Sequence, residues 1–111
     1  MMDADSLEKA IEGATYLVHT ASPFTVKAEN LEDVVGPAVE GTMGALRAAA
    51  KHKVKRVVVT SSVASVSVGH KQEIYDESHW SNLEFLQEKG LGLWGGYLLS
   101  KTLAEKAAWV F

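Results

Sequence analysis

The 111 residues contain no cysteine. That excludes a disulfide-stapled scaffold and any thiolate metal site, and it is compatible with a reducing compartment. Charge of neither sign dominates. The net charge of −3 gives no basic surface for nucleic acid or for an anionic membrane. Long apolar runs are missing too. The most apolar stretch, Leu91 to Leu99, is broken by Gly92, Gly95 and Gly96 and falls far short of the roughly 20 residues a membrane helix needs. The start, Met1-Met2-Asp3-Ala4-Asp5, lacks the basic residues and apolar block of a secretory signal. Also absent is any glycine-rich turn of the kind that cradles phosphates. What remains is ordinary globular composition, 47% hydrophobic and 23% charged, enough for one small domain spanning 1–111. The expectation is a soluble cytoplasmic protein.

The pattern along the chain is α/β. Asp5 and Ser6 are helix N-cap types, and Asp5 with Glu8 resembles a capping box, so a short helix is expected to run to Gly13. Tyr16 to Thr20 is consecutive and apolar, as in a strand covered on both faces, and Pro23 ends it. Residues 24–30 read as loop. A helix over 31–52 follows, with Pro37 in its first turn or kinking it, and with Val39, Met43, Leu46 and Ala50 on one face. In that helix Gly41, Gly44 and Ala45 allow close approach to a sheet. Lys51 to Arg56 reads as a solvated helix end.

Arg56 to Ser62 is the strongest strand signal, with a β-branched centre. Two buried-type strands joined by a helix form one βαβ unit with a right-handed crossover. Residues 63–90 read mostly as loop, with a short helix near 81–89. A last helix is expected over 96–111, burying Leu99, Leu103, Ala107 and Val110. Gly95 and Gly96 would weaken its start by roughly 1 kcal/mol each. The three tryptophans, Trp80, Trp94 and Trp109, read as core or rim packing. His19 reads as a structural strand-end residue. His52, His70 and His79 have no partners at ligand spacing, so no metal site is expected.

Tyr97 and Lys101 are one helical turn apart, hence on one face. A tyrosine hydroxyl can deliver a proton to a carbonyl oxygen being reduced, and a neighbouring ammonium favours the phenolate that results. Ser62 lies just past the carboxyl end of a strand, where open α/β sheets bind ligands, and its hydroxyl can donate to the same oxygen. A Tyr-x-x-x-Lys spacing by itself is a weak signal. Its place downstream of Thr60-Ser61-Ser62, in an α/β pattern, is what gives it weight.

Longer stretches carry a resemblance. Val54 to Ser62, Tyr75-Asp76-Glu77-Ser78 with Trp80, Tyr97 to Lys106, His19 to Phe24 and Pro37 to Thr42 resemble the extended short-chain dehydrogenase/reductases. Within these they resemble the dihydroflavonol 4-reductase-like aldehyde and ketone reductases, in order and spacing. The resemblance implies part of a Rossmann-type, doubly wound parallel sheet that binds NADP, with NAD left open, and a small-molecule carbonyl substrate. It implies Tyr97 as general acid, Lys101 on the nicotinamide ribose and Ser62 on the substrate carbonyl. Thr20, Ala21 and Ser22 would line the cofactor near its pyrophosphate and ribose, and Thr60 and Ser61 would pack beside the nicotinamide. The run Ser100-Lys101-Thr102-Leu103-Ala104-Glu105 favours reductases over the nucleotide-sugar epimerases of the same superfamily.

The sequence also departs from that family. The Gly-x-x-Gly-x-x-Gly turn is missing, as are the basic residue that selects a 2′-phosphate and the C-terminal substrate lobe. The expectation is therefore a partial NAD(P)-binding domain, the middle third of an enzyme. The alternative to a reductase is a non-catalytic remnant that partners a full-length relative or itself through an unpaired edge strand.

Overall fold

The computed structural model describes residues 3–22, 30–71, 74–88 and 92–111. The loop expected at 24–30 lies almost wholly outside them, as does Pro23. The elements run α1 (Ala4–Ile11), β1 (Tyr16–His19), α2 (Glu32–Lys51), β2 (Arg56–Val59), a 3₁₀ turn (Val63–Ser65), α3 (Leu83–Glu88) and α4 (Gly92–Val110). β1 and β2 pair in parallel, Tyr16 opposite Arg56 through His19 opposite Val59. With α2 between them they form the expected βαβ unit.

Helix α1 starts earlier than its cap signals suggested. Asp3, not Asp5 or Ser6, is the N-cap, accepting from the Ser6 backbone N–H at 2.8 Å and from Ser6 Oγ at 3.0 Å. Glu8 is therefore free of a capping box and instead pairs with Lys51 at the far end of α2. That end closes on Lys53, which takes a left-handed backbone (φ 55°) while Val54 N–H bonds back to Ala49 O at 2.9 Å. Such a 6→1 bond satisfies one of the helix's orphan carbonyls.

α2 continues past Pro37, which lies inside the helix and beyond its first turn. Its buried face is Val34, Val35, Ala38, Thr42, Ala45, Ala48 and Ala49. The stripe expected from Val39, Met43, Leu46 and Ala50 is displaced to the flank: the first three are half-buried and Ala50 is exposed. Small side chains make the closest approach here, and larger ones fill the sides. Gly44 faces α1 rather than the sheet, since a Cβ there would lie 3.3 Å from Leu7 Cδ2.

The strands correct a second expectation. Leu17, His19, Val57 and Val59 are half-buried on the helical side. Tyr16, Val18 and Val58 on the other side are 67%, 62% and 50% exposed. The consecutive apolar sequence suits burial on both faces, but only one cover lies within the described residues.

Helix α4 begins at Gly92, so Gly95 and Gly96 sit inside it and are buried. Gly96 packs toward Leu31 and Val34: a Cβ there would meet Leu31 Cδ2 and Val34 Cγ2 at 3.6 Å, an ordinary contact distance. The buried stripe of α4 includes Leu99, Ser100, Thr102 and Ala104. Leu103 and Ala107 are half-buried, whereas Val110 is 86% exposed. Trp94 and Trp109 are exposed as well, so neither packs in the core. Val35, Leu86 and Leu99 form the centre of that core, flanked by Val39, Val68, Leu83, Leu98 and Leu103.

The segment after β2 is pinned from several sides. The Ala64 carbonyl accepts from Ser81 Oγ at 2.7 Å and from Thr102 Oγ1 at 3.3 Å, while Ser81 N–H donates to Ser65 O at 2.8 Å. Gly69 turns the chain with φ 82°, and a Cβ there would fall 2.8 Å from that of Asn82, so both backbone and space demand glycine.

Candidate functional site

β2 stops at Val59 rather than Ser62 because Ser62 opens a turn. Its backbone is extended, and its Oγ accepts from Ala64 N–H at 3.2 Å, capping the 3₁₀ turn. A hydroxyl that accepts there keeps its proton for donation elsewhere. Ser62 faces an open depression shared with Ser61, Val63, Val66, Ser67, Tyr75 and Asp76.

A second, tighter pocket, with a free volume of about 10 Å³, lies beside it, between the strand ends, α2 and α4. It is lined by His19, Ala21, Ser22, Thr60, Ser61, Lys101 and Glu105, with Ala38, Thr42, Val59 and Ala104. Five of the eight expected site residues thus meet here: Ala21, Ser22, Thr60, Ser61 and Lys101. Ser62 opens on the neighbouring depression. Thr20 is exposed and lines neither. Tyr97 is half-buried on α4, one turn before Lys101, and its carbonyl accepts from Ser100 Oγ at 2.8 Å. It too is outside both linings.

Lys101 Nζ donates to the Thr60 carbonyl at 2.6 Å, which ties α4 to the end of β2. Ser61 Oγ donates to Glu105 Oε2 one turn further on. His19 Nε2 lies 3.2 Å from Thr42 Oγ1. Burial, and then the positive charge of Lys101, hold its pKa below the ordinary 6.5, so the imidazole is neutral at pH 7 and adds no like charge beside the ammonium. His19, Thr42 and Glu105 were not singled out as site residues. Glu105 alone left a signal, its i+4 spacing from Lys101.

Asp76, at the rim of the open depression, holds a short turn together. Its Oδ1 accepts from Ser78 Oγ at 2.6 Å and Ser78 N–H at 2.9 Å, and lies 2.8 Å from His79 Nδ1. These donors, the serine first, lower its pKa from 3.8 to about 2. A depressed carboxylate pKa stabilises the fold above its unfolded value, and that contribution is lost as pH falls through the folded one. We predict that the Asp76 carboxyl carbon, followed by NMR, titrates with a midpoint near 2, and that the Tyr75–His79 turn loosens only below pH 3.8. A midpoint at the ordinary value would show that the serine and histidine do not hold it.

Ser22 Oγ is buried in the wall of the tighter pocket with no hydrogen-bond partner among the described residues, an orphan that a ligand hydroxyl or phosphate would satisfy. Lys101 supplies a cation able to donate to ribose hydroxyls. The residues therefore suit the sugar-and-ring end of a nicotinamide nucleotide. Among the described residues no group of three potential ligands could hold a metal ion, and no helix is long and apolar enough to cross a membrane.

Known proteins point the same way. The model of the 3-beta hydroxysteroid dehydrogenase/isomerase family matches residues 1–109. An anthocyanidin reductase from Arabidopsis thaliana is 40% identical, covering all of this chain and 34% of its own length. A dihydroflavonol 4-reductase from Gerbera hybrida is 42% identical over 94% of this chain and 29% of its own. Among solved structures, the yeast methylglyoxal/isovaleraldehyde reductase complexed with NADPH superposes with a TM-score of 0.78 at 33% identity, over 97% of this chain and 34% of that one. The chain thus spans about a third of the length of the relatives it matches, and the Rossmann-type α/β fold is common to them.

Proposed function

This chain belongs to the 3-beta hydroxysteroid dehydrogenase/isomerase family, and we propose that it carries the proton-delivering side of an NADPH-dependent carbonyl reductase site. The observation that supports this best is the bond from Lys101 to the Thr60 carbonyl. It brings the Tyr97–Lys101 face of α4 against the Thr60-Ser61-Ser62 turn, in a chain 40% identical to a reductase of flavonoid pigments.

In this reading the nicotinamide supplies a hydride when the cofactor is bound. The chain's own residues do the rest. Ser62 donates a hydrogen bond to the substrate carbonyl oxygen, keeping its own proton, and so stabilises the negative charge that develops there. Tyr97 passes a proton to that oxygen, which completes the alcohol. Lys101 orients the ribose and stabilises the phenolate left on Tyr97. Ala21 and Ser22 flank the sugar, with Thr20 beyond them, and Thr60 and Ser61 wall the ring. Val63, Val66 and Tyr75 give the substrate side an apolar wall suited to a ketone or aldehyde with a bulky organic group, the dihydroflavonols among them.

A chimera tests this directly. Residues 1–111 would replace the aligned third of the Arabidopsis thaliana anthocyanidin reductase, and carbonyl-dependent NADPH consumption would be followed with a dihydroflavonol, an anthocyanidin and methylglyoxal. Turnover of at least one is the expected result. A soluble chimera that binds NADPH and consumes none with any of the three would sink the reading.

A further inference from the structure

We propose that Glu105 is a positioning residue of this site, latching helix α4 to the turn that carries Ser62. The inference rests on the reductase reading for its consequence in turnover, but not for the latch itself.

The geometry has three parts. Glu105 accepts from Ser61 Oγ, and Lys101, one turn earlier, donates to the Thr60 carbonyl. Two successive residues of the strand end are thus tied to two successive turns of one helix face. Glu105 and Lys101 also line the same pocket. The third part is what the turn supports: Ser62 follows Ser61 directly, and its Oγ caps the 3₁₀ turn through Ala64 N–H. Thr102 Oγ1 reaches the Ala64 carbonyl from the same helix. A carboxylate is the strongest acceptor available to Ser61, so Glu105 sets where the Thr60–Ser62 turn sits relative to Lys101.

The latch is read by amide hydrogen exchange on the chain itself, without cofactor or substrate. Glu105→Ala is expected to speed exchange at Ala64, Ser65 and Val66 by about tenfold or more, the effect of losing one charge-assisted hydrogen bond, with the α1 and α2 amides unchanged. Glu105→Gln keeps an acceptor for Ser61 and is expected to stay close to the parent. Equal exchange in Glu105→Ala and the parent overturns the proposal. So does general loosening of the whole chain in both variants.

In the chimera, Glu105→Gln is expected to keep most of kcat. Glu105→Ala is expected to lower kcat by about tenfold, the effect of losing the acceptor of Ser61. A merely structural glutamate would lose kcat equally in both variants, and that result would overturn the role in positioning. An inactive parent chimera with the exchange difference intact would instead overturn the reductase reading and leave the latch standing.

Discussion

Tyr97→Phe, made in the chimera, is expected to lower kcat by roughly a thousandfold while leaving NADPH affinity within about a factor of three of the parent. General acid catalysis by a positioned side chain contributes on the order of 10²–10⁴-fold, and the substitution removes the transferable proton. Neither pocket is lined by Tyr97, so its ring adds little to the wall where the sugar end of the cofactor fits. Lys101 differs. It lines that pocket and holds the Thr60 carbonyl, so Lys101→Met should lower both affinity and kcat. Steady-state kinetics with a fluorescence titration of NADPH separates the two patterns. Full turnover in Tyr97→Phe would remove the tyrosine from the mechanism, and a joint loss of affinity and turnover would mean that it shapes the cofactor site instead.

The division between what the sequence revealed and what it concealed follows the range of the forces involved. Local signals were legible. The β-branched run at Val57–Val59, the helical spacing of Tyr97 and Lys101 and the βαβ order depend on neighbours within a turn or two, and each stands where it was expected. The strand end was misread because Ser62 leaves the ladder to cap a turn two residues on, and hydroxyl capping competes with strand pairing on nearly equal terms. The start of α4 was misread because propensity counts Gly95 and Gly96 as breakers, whereas both lie buried inside the helix, where tertiary packing overrides propensity. The buried face of α2 was misread for a related reason: hydrophobicity ranks Met43 and Leu46 above Ala45 and Ala49, yet close packing selects the small ones. Glu105 was the least legible. Its partner Ser61 is 44 positions away in sequence, and its one local signal, the i+4 spacing from Lys101, equally suits a solvated acid on an exposed helix face.

The 111 residues by themselves are expected to bind NADPH with a Kd no tighter than about a millimolar, and the chimera to bind it at least about a thousandfold more tightly. The pocket built by Ala21, Ser22, Thr60, Ser61 and Lys101 has about 10 Å³ of free space, far too little for a whole dinucleotide. No Gly-x-x-Gly-x-x-Gly turn occurs in this sequence, so the backbone amides that such a turn aims at a pyrophosphate have no counterpart. Hydrogen bonds to a charged group contribute roughly 1.5–3 kcal/mol each, and two or three of them account for a factor of roughly 10² to 10⁶. Titration calorimetry on the chain and on the chimera measures the difference. Micromolar stoichiometric binding by the chain alone would mean that these residues cradle the pyrophosphate without a glycine loop. Ser22, with its buried and unpartnered hydroxyl, would then be the first residue to substitute.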